Sequence, residues 1–197
     1  MGSNYVEALV LARDLHKRVS GEMLTKPDGT VLVPVDLAPL MLLVKDEFGP
    51  QFEVDIARTP KLNKVFGHYL RYDSRVKIRI ADRLNTCWTR LVICKEIMHL
   101  FCSNSEEHYS TDPIEQLKKA LDRNEPSALD HELHDEDFAL FAAMEYLYPW
   151  HLRIKLADMN GYDYLAVATK FRIPQIVVEN YFITGYGSLS ESAHQQL

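Results

Sequence analysis

Residues 90–101, RLVICKEIMHLF, are the most informative segment of this sequence for its architecture. After the initial arginine it is apolar except for Lys95, Glu96 and His99, and no proline or glycine interrupts it. The longer segment 84–102 therefore predicts a strongly apolar helix that belongs in the core of a domain. Residues four apart share one face of a helix, so Lys95 and His99 lie side by side, with Glu96 one step round.

These three residues have the spacing of the zinc-binding motif H-E-x-x-H of zincins, with Lys95 in place of the first histidine. In that motif the two histidines bind zinc, and the glutamate acts as general base toward the metal-bound water. A lysine ammonium has no free lone pair, so it cannot ligate zinc until it loses its proton. We therefore expect lost or greatly weakened zinc affinity. We expect Lys95 to place a positive charge where the metal charge would be, paired with Glu96 or with a more distant carboxylate.

The residues before this helix predict a small sheet. Residues 52–56 alternate between apolar and polar side chains, as a strand does, and residues 65–80 predict an antiparallel hairpin around the turn YDSR. Further upstream, residues 4–19 and 36–48 have the apolar spacing of helices. The second of these helices is expected to end before Gly49-Pro50.

The residues after the motif helix predict helices to the end of the chain. Residues 103–112 are polar and predict a loop, after which Asp112 and Pro113 provide the cap and first residue of a helix. Three more helices are expected, at 130–148 with Pro149 as the stop, near 162–171 and near 174–183. The segment after Gly185 is rich in Gly, Ser and Gln and is expected to fray.

Composition limits the class of protein. The chain has 197 residues, 47% hydrophobic and 25% charged, which is typical of a soluble globular domain. Its formal charge of −6 argues against binding nucleic acid through its overall field. No secretory pattern and no membrane-length apolar run occur, so we expect a cytoplasmic protein without a membrane partner. Three cysteines are too few for a disulfide scaffold and are expected to pack as buried residues: Cys87, Cys94 and Cys102.

A second segment, residues 131–137, has two histidines and four acids directly before an apolar run. Histidines and carboxylates grouped in this way can form a metal site. They can equally form the charged first turn of a helix, where acids favour the positive end of the helix dipole. Composition alone favours the charged first turn.

Together the two segments resemble the ImmA/IrrE family of cytoplasmic metallopeptidases. The pattern of that family is roughly an apolar stretch, A-H-E-L-G-H, a variable loop, and then E-x-x-A-N-x-F-A-A-x-L-L-M-P. Residues 92–101 (VICKEIMHLF) and 135–149 (DEDFALFAAMEYLYP) follow that order, with one extra residue before the proline. The preceding hairpin and the closing helical pair are also in the order of the family. The similarity spans about residues 35–183.

The resemblance implies a zincin-like α+β fold, mostly helical with a small and mainly antiparallel sheet. It implies a single domain over residues 1–185 with a flexible tail over 186–197. By the same resemblance, Glu96 falls on the general-base position and His99 on the second zinc ligand.

The third zinc ligand of the family is a carboxylate at the start of the later helix. It falls on Asp135, with Glu136 as the near alternative. Lys95 falls on the first ligand and departs from the pattern. His131 and His134 are candidate substitutes for that ligand.

Three functional hypotheses follow. In the first, the domain has lost zinc peptidase activity, holds no cofactor, and binds a regulatory protein or peptide. Active members of the family are typically found with phage, mobile-element or stress-response regulators, so the expected partner is a transcriptional regulator. In the second, it is an active zinc metallopeptidase that cleaves such a regulator, with Glu96 as the general base and zinc held by a rescued site. In the third, it is a helical interaction module unrelated to peptidases.

Overall fold

The computed structural model describes residues 5–20, 37–102, 107–110, 112–123, 135–150, 153, 163–183 and 186–195. The helices are α1 Tyr5–Ser20, α2 Ala38–Phe48, α3 Thr86–Cys102, α4 Pro113–Arg123, α5 Asp135–Leu147, α6 Tyr164–Phe171, α7 Gln175–Ile183 and α8 Tyr186–Gln195. The strands are β1 Glu53–Thr59, β2 Gly67–Tyr72, β3 Arg75–Ala81 and β4 Glu107–Ser110. The predicted α+β class, mostly helical with a small sheet, is confirmed.

The sheet has the strand order β1-β3-β2-β4. β2 and β3 form the predicted antiparallel hairpin, and β4 pairs antiparallel with β2. β1 pairs parallel with β3, so the sheet is mixed but mainly antiparallel. Val76, Ile78 and Ile80 of β3 are fully buried, whereas the alternate basic residues of the strand are not. One face of the sheet therefore packs on the core, and the other carries charge.

The centre of the protein consists of α3 and α5. In α5 every residue from Asp137 to Leu147 is buried, and α3 is buried almost continuously from Leu91 to Leu100. α5 packs against both α3 and α1, and α3 also contacts β2 and β3. A helix that is buried on all sides has no solvent face on which to place polar side chains. The polar motif residues of α3 are therefore held inside the protein.

The helix boundaries follow the predicted signals. Asp112 Oδ1 accepts a hydrogen bond of 2.9 Å from the backbone N–H of Ile114, at the start of α4. α5 ends at Leu147, just before Pro149, which cannot continue a helix. Residues 130–134, which were expected to begin α5, lie outside the described residues. Within the described part of the chain, no helix has the length and apolar character needed to span a bilayer.

The sequence predicts a loop at residues 103–112 and otherwise only helices after the hairpin. This prediction is wrong for Glu107–Ser110, which form the strand β4. Four residues give too short a pattern to indicate a strand by alternation alone. The strand forms because β2 offers a second edge, and Gly67–Leu70 pair with Glu107–Ser110 along it. This element is therefore decided by a tertiary contact.

The segment 186–197, for which the sequence predicts a flexible tail, is helical in its described part, where Tyr186–Gln195 forms α8. Ser190 of α8 is fully buried. Its hydroxyl lies 2.6 Å from the hydroxyl of Tyr5 and donates a hydrogen bond of 3.1 Å to Glu145 Oε1. These contacts with α1 and α5 order a segment whose composition favours fraying.

An ion pair completes this contact region, which we call the Glu145 cluster (Tyr5, Glu145, Arg153, Ser190 and His194). Arg153 and Glu145 are almost completely buried and form an ion pair, and Arg153 also donates to Ser190 Oγ at 2.9 Å. His194 Nε2 lies 3.9 Å from Glu145 Oε2. Burial by itself raises the pKa of Glu145, but the charges of Arg153 and His194 outweigh it and hold that pKa below its ordinary value. The cluster joins α1, α5 and α8.

Candidate functional site

The candidate site lies where α3 meets the first turn of α5. Lys95, Glu96 and His99 of α3 are all completely buried. The Glu136 carboxylate of α5 contacts two of them. Its Oε2 forms an ion pair with Lys95 Nζ, and its Oε1 lies 3.2 Å from His99 Nε2. The structure therefore brings four of the predicted residues or their near alternatives together, with the Glu136 carboxylate between Lys95 and His99.

Asp135 and Glu136, the two candidates for the third ligand, have different surroundings. Glu136, whose side chain is 31% exposed, contacts Lys95 and His99. Asp135 lies one residue earlier, and its charge acts on Cys102. Burial, together with that charge, raises the pKa of the Cys102 thiol to about 12. The predicted substitutes His131 and His134 lie outside the described residues.

The protonation state of His99 follows from its surroundings. Burial lowers its pKa below the ordinary value, and the charge of Lys95 acts in the same direction, although the contact with Glu136 opposes both. The imidazole is therefore neutral at pH 7. Tyr69 of β2 lies beside it, with the two ring centroids 6.0 Å apart. Burial raises the pKa of Tyr69 to about 12, so its phenol is also neutral.

Glu96 is in a different position from Glu136. Within the described part of the chain, neither of its carboxylate oxygens has a hydrogen-bond partner. Gly67 of β2 lies directly against it, because a Cβ atom at Gly67 would be 2.7 Å from Glu96 Oε1 and 2.5 Å from Val92 Cγ1. β2 thus approaches α3 so closely that only glycine fits. Sequence reasoning placed Gly67 in a strand but had no signal for this contact.

Replacing Gly67 with alanine is expected to lower the free energy of unfolding by about 1–3 kcal/mol, because the new methyl group overpacks the contact with α3. Urea denaturation measures the change. The double variant Gly67→Ala/Val92→Ala removes the closest opposing atom and should be less destabilised than the sum of the two single variants. Unchanged stability of Gly67→Ala would show that β2 does not pack on Glu96 this closely.

The side chains that the structure describes do not by themselves make up a zinc site. Zinc in proteins is bound by at least three nitrogen, oxygen or sulfur donors with free lone pairs. A lysine ammonium has donors only, and Lys95 is paired with the carboxylate that a metal would need. Even if Glu136 were released from Lys95, the described side chains in contact here would offer two ligands, His99 and Glu136. Over the described ranges, no group of three or more His, Cys, Asp or Glu residues is placed to hold a metal ion.

The nearby cysteine does not complete a ligand set. Cys94 is buried, and its sulfur lies 3.9 Å from the carbonyl oxygen of Ala143 in α5. Burial raises the pKa of the Cys94 thiol far above its ordinary value, so it stays protonated. This placement agrees with the expectation that it packs as a small apolar residue.

The fold and the site define an α+β protein with a buried lysine–glutamate–histidine cluster at a helix junction. No family model matches the chain, and no curated protein matches it. Among solved structures, a Mycobacterium tuberculosis transcriptional regulator matches with a TM-score of 0.47 and 13% sequence identity. The match covers 89% of this chain and 51% of that one, so this chain spans about half the length of the regulator.

Proposed function

We propose that this chain is a zincin-like domain of the ImmA/IrrE type that has lost zinc peptidase activity. In this proposal Lys95 supplies the positive charge that a zinc ion supplies in active members of the family. The domain acts by binding a regulatory protein or peptide, and a transcriptional regulator is the proposed partner. In this proposal the protein is cytoplasmic and binds no cofactor.

The observation that carries this proposal is the ion pair between Lys95 and Glu136. A buried ammonium needs an opposite charge beside it, because removal from water is expensive for an unpaired ion. Glu136 provides that charge and contacts His99 with its other oxygen. In this proposal the Lys95 ammonium replaces the charge of the metal ion. The ion pair also links α3 to α5, so the proposed domain needs no metal ion between these helices. The regulatory partner rests on the family resemblance of residues 90–101 and 135–149.

The loss of zinc is directly testable. Protein purified without chelator is expected to contain far less than one zinc ion per chain by elemental analysis, and added zinc should leave its melting temperature unchanged. Treatment of the purified protein with a chelator should likewise have no effect on its stability. One zinc ion per chain would contradict the proposal.

Partner binding needs a separate experiment. A photoreactive amino acid at position 109 of β4, where the native tyrosine is 51% exposed, is expected to cross-link one defined polypeptide in cells that produce the chain. The same amino acid at position 118, on the exposed side of α4, is the control. The cross-linked polypeptide should then bind the purified chain without being cut. Cleavage of the polypeptide, or the absence of any adduct specific to position 109, would count against the proposal.

A second candidate function is an active metallopeptidase with Glu96 as the general base. The observation that favours it is the buried Glu96 carboxylate, whose oxygens lack a hydrogen-bond partner within the described residues. Burying a carboxylate without a hydrogen-bond partner costs folding free energy, and a catalytic role is one explanation for such a group. If this candidate is right, Glu96→Gln abolishes proteolysis of a regulator, and a chelator does the same. If the chain has no proteolytic activity to lose, this candidate fails.

A further inference from the structure

A pocket that the candidate site does not use lies between the start of α3 and the helix pair α6–α7. Its volume is about 340 Å³, which is within the range of pockets that bind ligands. The apolar part of its lining comes from all three helices and from the turn between α6 and α7: Trp88, Leu165, Ala168, Ile173, Pro174 and Ile176. Trp88 precedes Lys95 by about two turns of α3, so this pocket is separate from the candidate site.

Two apolar side chains of this lining are exposed. Leu165 of α6 is 61% exposed, and Ile176 of α7 is 42% exposed. A single exposed apolar residue is ordinary on a protein surface, but two that line the same apolar pocket indicate a contact surface. A large apolar side chain that enters such a pocket is the usual anchor of a protein–protein interface.

Arginine side chains flank the pocket at the start of α3. Arg83 lies over the ring of Phe66, with its guanidinium carbon 5.2 Å from the ring centroid, and Phe66 packs edge-on against Trp88 of the pocket. Arg58 donates a hydrogen bond of 2.8 Å to Thr89 Oγ1, one residue after Trp88. The described hydrogen bonds of both arginines go to carbonyl and hydroxyl oxygens, so none of these acceptors neutralises their charge.

The turn between α6 and α7 adds two more cations. Lys170 and Arg172 are both exposed. In the chain they lie between Thr169 and Ile173, which both line the pocket. Arg172 has a φ of 51°, in the left-handed region that glycine adopts without strain. Other residues in that conformation cost free energy and are concentrated at functional sites, so the strain at Arg172 points to a use for its side chain.

The surface around the pocket has a net positive charge. It comprises residues 58–66, 82–90 and 163–179, which we call the basic surface. These segments contain seven basic and three acidic residues, a formal charge of +4, whereas the whole chain has a formal charge of −6. The acidic residues are Asp82, Asp163 and Glu179. The cations are therefore concentrated around the pocket in a chain that is acidic as a whole.

The charge of the basic surface favours an acidic partner. Two copies of this chain would place the same positive residues face to face in a symmetric contact, which is unfavourable. Nucleic acid has the required negative charge, but its interfaces with proteins are polar and would leave Leu165 and Ile176 without an apolar partner. An acidic polypeptide with a large apolar side chain matches both the charge of the surface and the apolar lining of the pocket.

We infer that the pocket between α3 and the α6–α7 pair is the docking site for an acidic segment of the protein partner. One large apolar side chain of that segment enters the pocket beside Leu165 and Ile176, and acidic side chains on either side of it face the basic surface. The inference rests on the proposed function of partner binding and names the surface and the chemistry of the contact. Position 109, where the cross-link is expected, is near this surface, because Ser110 pairs with Gly67, the residue after Phe66.

The test uses a displayed library of random peptides as the probe, selected on the purified native chain. Enriched peptides are synthesised with a fluorescent label and titrated against the native chain, Leu165→Glu and Leu42→Glu. Leu42 is the matched control, because it is 63% exposed on α2, outside the basic surface. Circular dichroism checks that both variants are folded. A DNA duplex of random sequence with the same label is the second probe.

We expect the enriched peptides to contain a large apolar residue flanked by acidic residues. Leu165→Glu should weaken their binding at least about tenfold, since it loses an apolar contact and adds a negative charge. Leu42→Glu should bind them like the native chain. Absence of enrichment, enrichment of peptides without acidic residues, or equal binding by both variants overturns the inference. Tighter binding of the DNA duplex than of the peptides also overturns it, in favour of a nucleic-acid site.

The variant Arg172→Gly separates a role in binding from a role in the fold. Glycine relieves the left-handed strain, so the melting temperature should rise. Loss of the charge should weaken peptide binding by about threefold and reduce its dependence on salt. Unchanged peptide binding by Arg172→Gly would overturn the placement of acidic side chains opposite this turn.

The polypeptide cross-linked from position 109 distinguishes this inference from the proposed function. If it binds Leu165→Glu and the native chain equally well, the partner docks elsewhere, so the inference fails while partner binding stands. If no polypeptide binds any form of the chain, the proposed function fails as well. If Leu165→Glu loses the polypeptide and Leu42→Glu retains it, both are supported.

Discussion

Replacing Lys95 with histidine is expected to create a zinc site that holds one ion per chain. Positions 95 and 99 lie one helical turn apart on the same face of α3, and Glu136 already reaches both of them. The variant therefore offers two imidazoles and one carboxylate, which is a common ligand set for zinc with an open fourth position. Removal of the ammonium also frees the Glu136 oxygen that Lys95 occupies.

The gain should be visible in stability. A ligand present at a hundred times its dissociation constant stabilises the folded state by about 2.7 kcal/mol, which corresponds to a rise of about 5–10 °C in melting temperature for a chain of this size. Elemental analysis and thermal unfolding with and without zinc measure the effect. Lys95→Gln is the matched control, since it removes the charge but supplies no zinc ligand. If Lys95→His takes up no zinc, residues 95, 99 and 136 do not form the remnant of a metal site.

Replacing Glu145 with glutamine is expected to lower the free energy of unfolding by about 3–5 kcal/mol, because it leaves the Arg153 guanidinium buried without an opposite charge. The loss should appear first in α8, since Ser190 and His194 both contact the Glu145 carboxylate. Urea denaturation gives the overall change, and hydrogen exchange of the α8 amides gives its location.

Two further variants test whether the loss of stability comes from the broken ion pair and not from substituting a glutamate in general. Glu115→Gln removes an exposed carboxylate of α4 whose pair with Lys118 is in solvent, and it should change stability by less than about 0.5 kcal/mol. The double variant Glu145→Gln/Arg153→Met should recover part of the loss, since the unpaired charge is removed. Equal stability of Glu145→Gln and the native chain would mean that the pair does not hold α8.

The same pair gives the stability a defined dependence on pH. The pKa of Glu145 is lower in the folded chain than its ordinary value of 4.5, because the charges of Arg153 and His194 outweigh the effect of burial. The carboxylate therefore contributes stability above about pH 4.5, and this contribution is lost as pH falls through the lower folded pKa. The difference in stability between the native chain and Glu145→Gln should shrink over that acidic range.

Much of the helical framework could be predicted from the sequence. The uninterrupted apolar run around Lys95 predicts α3, and the apolar run that ends at Pro149 predicts α5. The alternation of Val76, Ile78 and Ile80 predicts β3 and its hairpin. These elements follow from patterns within one segment, in which the spacing of apolar residues and the local caps decide the outcome.

The site was predictable only in part. Helical spacing places Lys95 and His99 on one face without any knowledge of the fold. It could not decide between Asp135 and Glu136, because one residue turns a helix by about 100°, and the choice depends on how α5 packs against α3. The contact of Gly67 with Glu96 joins two segments about thirty residues apart, and spacing within either of them carries no information about it.

Local sequence patterns were enough to predict the α+β class, the main helices and the hairpin, and they place Lys95 where the spacing H-E-x-x-H has its first histidine. Three features depend on contacts between distant segments: the pairing of Glu136 with Lys95, the strand at 107–110, and the docked helix Tyr186–Gln195. The difference lies in the range of the interactions. Periodicity and caps act within a few residues, whereas a strand edge, a buried ion pair and a docked hydroxyl need partners that the chain brings together only on folding.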